Sequence, residues 1–79
     1  MNYRILYFAS LRDAAGCDSE QVTTAESDAR ALYGELRLRH GFNLASEKLR
    51  VAVNGEFADW NRPLADGDVI AFLPPVSGG

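Results

Sequence analysis

Two stretches decide what this chain can fold into. Tyr3–Ala9 (YRILYFA) lies near its start and Val69–Leu73 (VIAFL) near its end, and each is almost unbroken in apolar side chains. A strand with one wet face alternates apolar and polar residues, whereas a nearly continuous run marks a strand buried on both faces. Such strands sit in the middle of a sheet. The first and last strands are therefore expected side by side at its centre, with Ile5 to Phe8 buried on both sides.

Between them the pattern changes period. Ala29, Leu32, Tyr33, Leu36 and His40 recur at spacings of three and four, which is one face of an amphipathic helix. Ser27 reads as its N-cap, with Asp28 in the first turn, and Gly41 as the residue that ends it. Gly34 falls inside this helix, as a close-approach or exposed position. Arg12, Asp13 and Gly16 mark a turn, and Gln21–Thr24 a short second strand paired back on the first. Leu49–Val53 alternates like a strand, Asn54-Gly55 is a strong hairpin signal, and Glu56–Ala58 is the return strand. Pro63–Asp68 forms a turn cluster, and Pro74-Pro75 stops the last strand because neither residue can donate to the ladder.

The expected fold is α+β: a mixed sheet of about five strands with one main helix, the first and last strands central and parallel. That is the β-grasp, or ubiquitin-like, architecture. Residues 1–73 form the domain, and residues 74–79 an extended, flexible tail that ends in Gly-Gly.

With 79 residues and one cysteine, Cys17, the chain can form no internal disulfide, and no CxxC pair or His-rich tract suggests a structural metal. A net charge of −3, with Lys48 the only lysine, argues against nucleic acid. The same balance suits a partner with a basic docking surface. No apolar stretch nears the ~20 residues that span a bilayer, and the start does not read as a signal peptide. A reducing, cytoplasmic location is the simplest expectation.

The stretches FASLRDAAG (Phe8–Gly16), VAVNGE (Val51–Glu56) and PLADGDVIAFLPPVSGG (Pro63–Gly79), with the Gly-Gly end, carry a resemblance. The chain resembles the small subunits of molybdopterin synthase, a family of ubiquitin-like sulfur carriers. The resemblance implies that the Gly79 carboxylate is adenylated by an ATP-using, E1-like partner. A sulfur donor of the cysteine desulfurase or rhodanese type then converts it to a thiocarboxylate. This group passes sulfur to the pterin precursor, cyclic pyranopterin monophosphate, within a complex with the large synthase subunit. The family suggests a heterotetramer.

Gly78 and Gly79 lack Cβ atoms, so the backbone can enter a narrow channel. Pro74 and Pro75 stiffen the exit, and Val76 and Ser77 complete the threading segment, whose four last residues reach about 13–14 Å when extended. The resemblance further implies that Phe8, Phe57 and Leu73 form an apolar contact patch, with Phe57 the most exposed; packing in central strands is the alternative for Phe8 and Leu73. No metal and no tightly bound cofactor is implied, and catalytic groups are expected on the large subunit.

Two other fates of the tail stay open. The chain could be a ubiquitin-like modifier joined through Gly79 to lysines, or a sulfur carrier of another, thiamine-type pathway. Cys17 reads as incidental, His40 as a helix-end residue, Arg12 and Asp13 as a surface pair, and Trp60 as half-buried packing.

Overall fold

The computed structural model describes residues 1–75. Five strands and two helices follow in the order β1 (Asn2–Tyr7), α1 (Ala9–Ala15), β2 (Ser19–Thr23), α2 (Ala29–His40), β3 (Arg50–Val53), β4 (Glu56–Ala58) and β5 (Val69–Leu73), with a 3₁₀ turn at Ser46–Lys48 before β3. The strands form one mixed sheet in the order β2-β1-β5-β3-β4. β1 and β5 are central and parallel, and the other pairings are antiparallel. This is the β-grasp fold that the two apolar runs led us to expect.

One face of the sheet is dry. Tyr3, Ile5 and Tyr7 of β1, Ile70 and Phe72 of β5, and Val51 and Val53 of β3 are buried. They pack with Ala29, Leu32, Tyr33 and Leu36 of α2 in a single cluster. Full burial of a side chain of this size stabilises by about 1.5–3 kcal/mol, so the face is the main source of stability in a chain without a disulfide. Phe72 lies at its centre, 5.2 Å from the Tyr33 ring and stacked 5.8 Å from that of Trp60. Each buried tyrosine hydroxyl has an acceptor: Tyr3 donates to the Glu26 carbonyl, Tyr33 to the Leu44 carbonyl and Tyr7 to the Glu20 carboxylate.

Local chemistry fixes the ends of the elements. Asp28, rather than Ser27, caps α2: its Oδ1 accepts from the Ala31 N–H at 2.8 Å, and its charge complements the helix N-terminus. Asn54 and Gly55 both take positive φ, 52° and 87°, the pair of values required by a type I′ hairpin turn. Asn54 also reaches across to the Pro63–Asp68 loop. Its Nδ2 donates to Asp68 Oδ1 and its Oδ1 accepts from the Val69 N–H, each at 2.9 Å. Arg12 and Asp13, expected in a turn, lie instead on α1. A seven-residue helix shows too little periodicity to be read from the sequence, and only Leu11 of it is buried.

Beside the core, Glu20 gathers three partners. Its Oε2 accepts from the Tyr7 hydroxyl at 2.5 Å and lies 2.6 Å from His40 Nε2, while Arg39 approaches Oε1 at 4.0 Å. This knot ties β1 and β2 to the C-terminal end of α2. Partial burial pushes the Glu20 carboxyl up, but the hydrogen bonds from Tyr7 and His40, with the charges of His40 and Arg39, outweigh it and hold the group below the usual carboxylate range.

Two predictions follow from this packing. A carboxyl with a depressed folded pKa contributes stability above its unfolded value of about 4.5 and loses it as pH falls through the folded value. Glu20→Gln should therefore lower Tm at neutral pH, and the gap to the wild type should narrow as pH falls below about 4.5; a gap independent of pH contradicts this. Gly34 is exposed inside α2, and a Cβ built there meets nothing within 4 Å. Gly34→Ala should thus stabilise by about 0.5–1 kcal/mol, read as a Tm several degrees higher.

Candidate functional site

The second face of the sheet has no helix over it. Side chains alternate between faces along a strand, so the residues between the buried ones point to this side. Arg4 and Leu6 of β1 lie opposite Val69 and Ala71 of β5, Ala52 of β3 lies opposite both Ala71 and Phe57 of β4, and Arg50 opposite Leu73. The apolar runs are unbroken because both faces are apolar, while only one is covered. The expected two-sided burial of Ile5–Phe8 is therefore corrected: Ile5 and Tyr7 are buried, Leu6 is half-buried and Phe8 is 42% exposed.

The open face forms a shallow concavity of about 310 Å³. Leu6 and Phe8 line one side, Val69, Ala71 and Leu73 the floor, and Ala52 and Phe57 the other side. The small side chains of Ala52 and Ala71 set its depth. Phe57 is 63% exposed, and Phe8 stands at the corner where β1 turns into α1. The next residue, Ala9, has φ 51°, a left-handed conformation that costs a non-glycine residue roughly 1–2 kcal/mol. The strain falls at the edge of the concavity, next to the side chain that the corner displays.

The concavity continues towards the tail. A second depression of about 440 Å³ shares Phe57 and Leu73 with the first and adds Glu47, Lys48, Leu49, Arg50, Pro74 and Pro75. Pro74 is half-buried and Pro75 exposed. The parallel pairing of β1 with β5 is what brings Phe8 and Leu73 to the same end of the sheet: Tyr7 pairs with Phe72, one residue earlier on each strand. The structure thus brings Phe8, Phe57, Leu73, Pro74 and Pro75 together. Val76, Ser77, Gly78 and Gly79 lie outside the described residues.

Leu6, Ala52, Val69, Ala71 and Arg50 belong to this face and were missed in the sequence. The available signal was a count of layers: two doubly apolar strands but only one long amphipathic helix. Arg50 holds its guanidinium 4.1 Å from the centre of the Phe57 ring, a contact worth roughly 0.5–1 kcal/mol at an exposed site. Among the described residues, no group of three or more His, Cys, Asp or Glu side chains could hold a metal ion. No helix there is long and apolar enough to cross a membrane.

Comparison with known proteins places the chain. The model of the ThiS family matches residues 5–79. The molybdopterin synthase sulfur carrier subunit of Escherichia coli is 35% identical over 79 residues, covering 96% of this chain and 98% of that protein. Among solved structures, SAMP1 of Haloferax volcanii superposes with a TM-score of 0.81 at 26% identity, with both chains covered completely. A chain of the complex of subunits 1 and 2 of the molybdopterin-converting factor from Helicobacter pylori gives 0.70 at 29%, again over both full chains. With a family match from Ile5 to Gly79 and a β-grasp sheet to go with it, the chain belongs to the ThiS family.

Proposed function

We propose that the chain is the sulfur carrier subunit of a molybdopterin synthase and that the Gly79 carboxylate is the group that carries sulfur. The observation that carries this reading is the open apolar face, which runs without a break from Phe8 and Phe57 to Leu73 and the Pro74-Pro75 exit. The near full-length likeness to the E. coli carrier supports it. So does the H. pylori pair, in which a similar chain is found with a second subunit.

In this reading the fold supplies position, and the partners supply the chemistry. A carboxylate is a poor electrophile, so an E1-like enzyme uses ATP to make a mixed anhydride of Gly79 with AMP. The terminal sulfur of a persulfide on a cysteine desulfurase or rhodanese-type donor displaces AMP to give an acyl disulfide. A thiol reductant then cleaves its S–S bond, leaving a disulfide of the donor with that thiol, and the thiocarboxylate. That soft nucleophile attacks the pterin precursor in the large subunit. Docking through the open face holds the domain still, and four residues such as 76–79 span at most about 13–14 Å if fully extended. Without side chains, Gly78 and Gly79 add no bulk beside the reacting carbon. ATP is consumed by the activating enzyme, the carrier keeps no cofactor of its own, and a reducing cytoplasmic setting suits the thiocarboxylate.

A second reading draws on the likeness to the small archaeal modifier protein 1: a protein modifier whose Gly79 is joined to lysines. Both readings need the same adenylation and differ in the product. Intact-mass measurement after incubation with ATP, an activating enzyme and a sulfur donor separates them. The carrier gains the mass of one oxygen replaced by sulfur, and a chain lacking Gly78 and Gly79 gains nothing. Isopeptide-linked ladders without thiocarboxylate support the modifier instead. A further outcome concerns the face. Phe57→Ala removes an exposed ring and leaves the core untouched, so its Tm should stay near the wild-type value, while Kd for the large synthase subunit rises about tenfold or more.

A further inference from the structure

The sheet sorts its charges by face. Its strands carry four charged residues: Arg4, Glu20, Arg50 and Glu56. Glu20 lies opposite Ile5, and Glu56 opposite Val53, on the side of the core. Arg4 lies opposite Val69, and Arg50 opposite Leu73, on the open face. A chain of net charge −3 therefore keeps its strand acids off the open face and its strand bases on it. The strand charges on this face are thus opposite in sign to the net charge.

Arg50 occupies the end of the face where the tail leaves. It borders the depression that holds Leu73, Pro74 and Pro75, and also a neighbouring one of about 620 Å³ with Asn61, Arg62 and Asp59. Among the described residues, no carboxylate lies within 4.0 Å of its guanidinium. The Phe57 ring holds that group, which lowers the entropy lost when a partner binds it, and a stacked guanidinium keeps its N–H donors for a carboxylate.

We infer that Arg50, held on Phe57, receives an Asp or Glu carboxylate of the partner protein docked on the open face, and that this pair selects among partners that could accept the same apolar face and tail. The inference rests on the docking reading above and adds the partner's chemistry: an apolar centre with an acidic group beside the entry for the tail. As Phe57 and Leu73 are covered, the pair loses water, which makes it worth more than a fully exposed ion pair.

Calorimetric titration of the full chain into the large synthase subunit, at low and high salt, tests this. Arg50→Leu should weaken binding by about tenfold or more and flatten its salt dependence, and Arg50→Glu should weaken it further. Arg50→Lys should keep the salt dependence and recover part of the affinity. Thermal melts of the same variants check that each is folded. Arg50→Leu binding within about twofold of the wild type, with an unchanged salt dependence, overturns the inference and leaves the docking reading intact. Failure of the wild-type chain itself to bind overturns both.

Discussion

The parallel pairing of β1 with β5 is the interaction on which the rest of the molecule depends. It joins the two ends of the chain at the centre of the sheet through four register pairs, from Arg4–Val69 to Tyr7–Phe72. Non-local pairing of this kind costs loop entropy before it gains contacts, and burial of Tyr3, Ile5, Tyr7, Ile70 and Phe72 against α2 offsets that cost. The consequence for function is geometric. Since both strands run the same way, the corner that displays Phe8 and the exit formed by Pro74 and Pro75 stand at one end of the same sheet. The domain and its last residues can then meet a partner as a single surface.

In the proposed reading the two faces divide stability from recognition. The covered face holds all of the large buried side chains of the strands, and its polar edge is closed by the Glu20, His40 and Tyr7 knot. The open face has shallow relief, small residues at its floor and two aromatic rings at its sides. Apolar surface left exposed in a small domain is a standing cost to solubility, and its retention in a contiguous patch marks an interaction site. Substitutions on this face should therefore separate binding from folding, which core substitutions cannot do.

Much of this was legible in the sequence. The apolar runs, the Asn54-Gly55 turn, the three-four spacing of α2 and its end at Gly41 point to the central parallel pair of first and last strands and to the fold. What escaped has physical reasons. A near-continuous apolar strand reports that both faces are apolar, but not that both are covered, so the pattern alone leaves Phe8 open between burial and an exposed patch. The segment of α1 is too short to show a period, and a single buried residue, Leu11, anchors it. The choice of Asp28 over Ser27 as cap depends on which side chain reaches the Ala31 N–H, a matter of backbone path. Net charge averages over faces that the fold keeps apart, so the contact of Arg50 with the Phe57 ring is visible only when β3 and β4 are paired.

The central claim is that the open face and the tail exit act together as the docking surface for the large synthase subunit. Amide chemical-shift mapping of the isotope-labelled chain, with that subunit added, tests it most directly. The account predicts perturbations at Leu6, Phe8, Ala52, Phe57, Ala71 and Leu73, with the exposed side of α2 around Leu38 left unchanged. Perturbations centred on α2, with the open face silent, would contradict it.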